Sequence, residues 1–176
     1  MNLQTILLSD DVVESISENM DYLLQNIPEI KSMIGFDHKN PNHHLDVWNH
    51  TLLALRLSDK DFDTRLCLLF HDIGKPYSYQ GGEIRHFKGH PKVSAEISKK
   101  ALKRLGFDDD YIKYIYYLVE HHDTPISDEQ LKDDYELCLK LYKIQICDAL
   151  AHHPETLEKR KKYLSETKEK LYLKKR

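Results

Sequence analysis

The chain has 176 residues, 40% of them apolar and 31% charged, with a formal net charge of −3. That suits a single globular domain over 1–176 with one substantial core, and it excludes both a polycation built for nucleic acid and a disordered chain. No run approaches the ~20 apolar residues of a membrane span. The start, Met1-Asn2-Leu3-Gln4-Thr5, lacks the basic opening of a signal peptide, so a cytoplasmic protein is expected.

The first predicted helix runs over 10–27, where Val12, Val13, Ile16, Met20, Leu23, Leu24 and Ile27 recur at helical spacing before Pro28. A short helical turn follows over 29–34. Residues 35–42 read as loop. A second helix spans 45–57. A third, capped by Asp63 or Thr64, runs through Leu66-Cys67-Leu68-Leu69-Phe70 into His71-Asp72, with Gly74-Lys75-Pro76 ending it. Residues 77–89 break the pattern and suggest a small hairpin or ordered loop. His90-Pro91 opens a helix that ends at Gly106, a C-cap glycine. Asp108 caps a tyrosine-rich helix over 111–121, in which Tyr111, Tyr114 and Tyr117 read as half-buried packing. A polar loop leads to a helix over 134–152. After Pro154 comes a last charged helix, over about 155–174. Residues 155–176 carry nine Lys/Arg against four Asp/Glu, a surplus of five, read as a solvated face with an RNA or membrane contact as the alternative. The reading is all-α, about seven helices. Cys67, Cys138 and Cys147 show no CxxC spacing and read as reduced core thiols.

The histidines do not fall at random. His50 lies mid-helix among apolar neighbours, His71-Asp72 and His121-His122 end apolar runs, His90 precedes a helix, and Asp148 stands within Ile146-Cys147-Asp148-Ala149-Leu150. A carboxylate in such a setting is costly unless paired or bound to metal. Several imidazoles and two carboxylates aimed at one core are economically explained by a shared cation. Nitrogen and oxygen donors without thiolate suit Mn, Fe, Co, Ni or Zn in a reactive rather than a structural site. An excess of donors, one of them able to bridge, suits two metals.

The order His50, His71-Asp72, Asp148 resembles the signature of the HD-domain metal-dependent phosphohydrolases. Five segments are especially similar to the HD domain appended to bacterial CCA-adding tRNA nucleotidyltransferases. They are Asp46-Val47-Trp48-Asn49-His50-Thr51-Leu52, the run from His71 to Pro76, His86-Phe87-Lys88-Gly89-His90, Val119-Glu120-His121-His122, and Cys147 to His152. The likeness covers about 38–152 and includes no nucleotidyltransferase head, so a stand-alone HD protein without the adding activity is expected.

The resemblance implies a helical fold around a metal centre. It implies that His50, His71, Asp72 and Asp148 bind a first metal, with Asp72 bridging to a second held by His90 and by His121, His122 or both, His121 being slightly favoured. It places Lys75 against the scissile phosphate and gives Asp72, Lys75 and His90 the catalytic roles, His90 or a pocket histidine protonating the leaving oxygen. Asp46 is weighed as a further ligand or as a helix cap. His44 and His86 are weighed as pocket residues, and His43, His152 and His153 are left to loops and helix ends. The expected cofactors are two divalent ions (Mn, Fe, Ni, Co or Zn, with Mg as the remaining choice). The expected substrate is a nucleotide or nucleotide-like phosphoester, 2′-phosphates and 2′,3′-cyclic phosphates included. An RNA end stays open as a partner, and the chain is read as a monomer or homodimer. A mixed-valent di-iron oxygenase and a non-enzymatic nucleotide-sensing module are the rival readings.

Overall fold

The computed structural model describes residues 2–40 and 44–174, apart from the side chains of Glu155, Thr156 and Lys159. His43 therefore lies outside the described residues. Within them the chain forms α1 (Leu3–Leu7), α2 (Val12–Glu18), α3 (Met20–Asn26), a 3-10 turn (Pro28–Ser32), α4 (Val47–Arg56), α5 (Phe62–Phe70) and α6 (Lys75–Ser78). It continues with α7 (His90–Arg104), α8 (Asp109–Glu120), α9 (Asp128–Asp133), α10 (Tyr135–Leu150) and α11 (Pro154–Lys174). Among the described residues the only β pairing is an isolated bridge, Asp37 to Asp46. The all-α expectation holds.

The expected helix over 10–27 is split at Asn19, which caps α2 and opens α3. Its side-chain amide donates to Ser15 O at 2.8 Å, a local bond of the kind that competes with a continuous helix. The polar loop before α10 contains α9, nucleated by a capping box between Ser127 and Gln130. Gly74-Lys75-Pro76 does not end the third predicted helix, because α5 stops at Phe70 and Lys75-Pro76 opens α6, where proline at the first turn costs no hydrogen bond. The stretch before α7 is an ordered loop rather than a hairpin. Arg85 pins it, donating to Asp37 O at 2.6 Å and lying over the rings of Phe36 and Tyr79 at 4.6 and 4.7 Å.

Helix α5 is the axis of the core. Every residue from Thr64 to Phe70 is buried, as a helix that is apolar around its circumference should be. It packs against α1, α4, α7, α8 and α10. Its one cation, Arg65, is buried and donates to Leu7 O and Ser9 O at 2.6 and 2.8 Å, satisfying the carbonyl end of α1. The α7–α8 pair closes one side, and α10 with α11 closes another. The tyrosine stripe is packing: Tyr111 stacks on Phe107, and its hydroxyl donates to Asp63 at 2.7 Å. Helix α8 starts at Asp108, whose carboxylate accepts Tyr111 N at 2.9 Å. Replacing an N-cap acid by alanine costs ~1 kcal/mol. Asp108→Ala should therefore lower the thermal midpoint by ~2–4 °C in a scanning melt, with metal binding unchanged.

Candidate metal centre

Four helix ends and one mid-helix position converge below α5. His71, the C-cap of α5, and Asp72 follow its last turn, His90 opens α7, His122 follows α8, and Asp148 lies in the last turn of α10. His50 enters from the middle of α4. His50, His71, Asp72, His122 and Asp148 are buried, and His90 is nearly so.

The donors fall into two sets that share one carboxylate. Asp72 Oδ2 lies 3.5 Å from His50 Nε2 and 3.3 Å from His71 Nε2, while Asp148 Oδ1 lies 2.9 and 3.6 Å from the same two nitrogens. Asp72 Oδ1 faces the other way, 3.2 Å from His90 Nε2 and 4.0 Å from His122 Nε2. His50, His71 and Asp72 could hold one cation and Asp72, His90 and His122 another, while His50, Asp148 and His152 form a third such grouping that overlaps the first.

The imidazoles are oriented for this. The Nδ1 atoms of His50, His71, His90 and His122 lie 3.1, 2.7, 3.0 and 2.8 Å from the carbonyls of Ala151, Leu68, Phe87 and Val119. A carbonyl only accepts, so each Nδ1 carries a proton and each Nε2 points inward, where it faces carboxylate oxygens. Such a contact is favourable only with positive charge between the two atoms, either a second proton on the imidazole or a cation. His71 Nε2 is buried without a hydrogen-bond partner, and Asp72 Oδ2 is paired with the Lys75 ammonium at 2.7 Å. Burial lowers the His71 pKa, but Asp72 and Asp148 outweigh it and lift it to about 10. Burial alone would raise Asp72, yet His71 and Lys75 hold it well below the usual carboxylate range. Asp148 is likewise opposed by burial and held low by His152, His50, His71 and Arg160. Burial, then the like charges of His71 and His90, push His122 down to about 4, so its imidazole is neutral and fit to ligate. The cluster demands positive charge, and its donors fit divalent transition metals.

The adjacent pair His121-His122 is separated. His122 joins the cluster, whereas His121, slightly favoured from sequence, stacks on Tyr117 at 4.1 Å and enters none of the donor groupings among the described residues. His121 is the C-cap, and its non-helical backbone turns it aside. Asp46 is a cap whose two oxygens accept from Asn49 N and Nδ2 at 2.7 and 2.9 Å. His44 packs edge-on against His153 at 5.8 Å between ring centres and enters none of the donor groupings among the described residues. His86 lines the cavity beside the cluster.

Three residues that sequence reasoning did not place here belong to the site. His152 donates from Nδ1 to Asp148 O at 2.7 Å and packs against His50 at 5.0 Å between ring centres. Its spacing of four residues from Asp148 on the α10 line was the available signal. His38, fully buried, has Nδ1 at 2.8 Å from Leu45 O, so its Nε2 accepts from Lys75 Nζ at 3.1 Å. Burial, then Lys75, hold His38 down to about 3, consistent with that acceptor role. Arg160 of α11 reaches Asp148 Oδ2 at 2.8 Å. Lys75 itself is buried, 2.7 Å from Asp72 Oδ2. A cavity of about 290 Å³ opens on the cluster, lined by Asp72, His90, His122 and Asp148 and by the cations Lys75, Arg85, Lys88 and Arg160.

The HD domain family model matches residues 42–174. A CC-adding tRNA nucleotidyltransferase of Thermus thermophilus is 33% identical over 113 residues, 59% of this chain and 26% of that protein. An A-adding tRNA nucleotidyltransferase of Deinococcus radiodurans is 32% identical over 142 residues, 74% of this chain and 32% of that protein. The chain thus spans between a quarter and a third of the length of these relatives.

Proposed function

Because this chain belongs to the HD domain family, we propose that it is a metal-dependent phosphohydrolase acting on nucleotides or nucleotide-like phosphoesters. The observation that carries this reading is the divided carboxylate of Asp72, one oxygen turned to His50 and His71, the other to His90 and His122. A carboxylate shared between two sets of imidazoles suits a two-metal centre. His50, His71, Asp72 and Asp148 would hold one ion, and Asp72, His90 and His122 the other. The chemistry such ions supply when bound is activation of water near neutral pH and neutralisation of charge at phosphate oxygens.

The rest is the work of the chain. The backbone carbonyls hold every Nε2 inward before substrate arrives. Lys75, gripped by Asp72 and His38, stands on the cavity wall as a fixed cation for the oxygens that gain charge as the phosphorus is attacked. In this reading His90 serves as the ligand that the resemblance implies, and the alternative donor, a pocket histidine, is left to protonate the leaving oxygen, since His90 Nδ1 is committed to Phe87 O and Nε2 faces Asp72. A di-iron oxygenase would have little use for two cations, Lys75 and Arg160, on the walls of its cavity. The relatives are named as tRNA nucleotidyltransferases, and a likeness to RNA-directed proteins supports testing 2′-phosphates and 2′,3′-cyclic phosphates first.

The test is a panel of nucleoside 2′-, 3′- and 5′-phosphates and 2′,3′-cyclic phosphates against Mn-, Co-, Ni- and Mg-loaded protein, with metal measured by elemental analysis. Turnover of at least one phosphoester is expected, with His90→Ala falling from about two metals per chain to about one. Metal-loaded protein that leaves the whole panel intact would sink the proposal.

A further inference from the structure

Helix α11 carries the basic surplus of the chain, and it packs on α10 of the same molecule. Its register is pinned one turn past Arg160, where Tyr163 Oη accepts from Ile126 N at 2.9 Å and donates to Gln145 Oε1 at 3.0 Å. Farther along, Thr167 and Leu171 are buried. The position of Arg160 is therefore set by the fold rather than by a loose surface helix.

Arg160 sits as a counterpart to Lys75. Each places its cation against one oxygen of a site carboxylate: Lys75 Nζ at 2.7 Å from Asp72 Oδ2, and Arg160 Nη1 at 2.8 Å from Asp148 Oδ2. Both line the same cavity. The Arg160 side chain is 40% exposed, whereas Asp148 is buried, so the guanidinium spans from the interior to the cavity space. A guanidinium has five N–H donors in a planar fork, and Asp148 engages Nη1. The cations Arg85 and Lys88 also line this cavity, in a chain whose net charge is −3. Of the acids on its walls, Asp72 and Asp148 are committed to the histidines and to Lys75 and Arg160, which leaves Asp123 as the remaining one. The chemistry that this lining recognises is an oxyanion.

We propose that Arg160 is a substrate-binding residue, gripping the anionic oxygens of the phosphoester opposite Lys75 while one edge of its guanidinium holds Asp148 in place. The proposal rests on the phosphohydrolase reading and extends the site beyond the 38–152 segment that carries the sequence resemblance. Arginine rather than lysine suits it, because a fork can bind a carboxylate and a phosphate oxygen together, whereas an ammonium acts as a point charge.

The experiment compares the parent with Arg160→Lys and Arg160→Gln as Mn-loaded chains of 176 residues. Inorganic phosphate binding is measured by titration calorimetry, metal content by elemental analysis, and kcat and KM on a 2′,3′-cyclic nucleotide. Arg160→Gln should weaken phosphate binding ~10-fold or more, the scale of a lost charge-assisted hydrogen bond, with metal content unchanged and the loss falling mainly on KM. Arg160→Lys should fold like the parent and bind phosphate with intermediate strength. Equal phosphate affinity in parent and both variants would overturn the grip. So would metal lost in step with phosphate, which would reduce Arg160 to a prop for Asp148, or metal bound more tightly without it, which would make it a plug. A parent that binds phosphate through Arg160 but turns over no phosphoester would sink the phosphohydrolase reading and leave the grip standing.

Discussion

Asp72→Ala is expected to lose both metals and to lower phosphoester hydrolysis by ~1000-fold or more, each 1.4 kcal/mol of lost transition-state stabilisation being a factor of ten. Asp72 is the one residue shared by the grouping of His50 and His71 and the grouping of His90 and His122, so its loss removes a ligand from each of the two proposed ion sites. The same change strips Lys75 of its counter-ion and His71 of a carboxylate that raises its pKa. Breaking a buried pair by removing one partner costs ~3–5 kcal/mol, so the alanine variant should also melt early. Asp72→Asn separates the effects: it keeps the volume and loses the charge, and it should stay folded while still losing metal. The pH dependence follows from the same groups. Metal must displace the proton His71 otherwise holds, so apparent affinity should rise with pH toward about 10. Without metal the sign is opposite for His71: its raised pKa adds stability that is complete below its unfolded value near 6.5 and fades as pH climbs through about 10. Asp72 and Asp148, both held low, add stability above about pH 4 that fades as acid protonates them. Melts with and without Mn across pH 5 to 9 should therefore diverge as pH rises. A metal-induced shift of constant size would count against His71 as a ligand.

Local chemistry made most of the cluster legible. His50, His71, Asp72, His90 and Asp148 each stand in an apolar run or at a helix boundary, where a polar group needs a reason, and the structure brings them together. Where the chain leaves regular geometry, sequence reasoning fails. His121 and His122 could not be separated because helical phase ends at Glu120. His38 sits in a loop, and its place beside Lys75 depends on a bond to Leu45 O that no periodicity announces. Arg160 lies across the break at Pro154, so its approach to Asp148 is set by the packing of α11 on α10 and not by spacing. Fold errors have the same origin. The split at Asn19 and the extra helix α9 were written in local polar bonds, a side-chain amide and a capping box, which hydrophobic pattern does not register.

Gly74→Ala should be the most disruptive small change outside the ligands. Gly74 has an ordinary helical φ of −81°, so glycine is not there for backbone freedom. It is there for space, because a Cβ would lie 2.6 Å from Ser94 N, 2.7 Å from His90 O and 2.8 Å from Ser94 Oγ. Two of those three atoms are backbone of the first turns of α7, and they cannot swing aside as a side-chain tip can. Either the turn after Asp72 or the start of α7 must move, and the bond from Gly74 N to Ser94 Oγ at 2.9 Å is strained or lost. Overpacking of this kind costs ~1–3 kcal/mol. In a chain of this size that is a fall of up to ~10 °C in thermal midpoint. The functional loss should exceed the thermal one, since His90 rides on that same turn and a displacement of ~1 Å at a reacting centre can cost ~100-fold. His50 and Asp148 come from other elements, so the loss should be selective: weaker occupancy at the His90 and His122 set, with the first ion retained. Gly106→Ala is the matched control, with a φ of +82° but nothing within 4 Å of the added carbon. It should cost ~1 kcal/mol of backbone strain and leave metal stoichiometry alone. Metal titrations of the two variants side by side decide the matter, and equal occupancy in both would show that the close approach at Gly74 does not position His90.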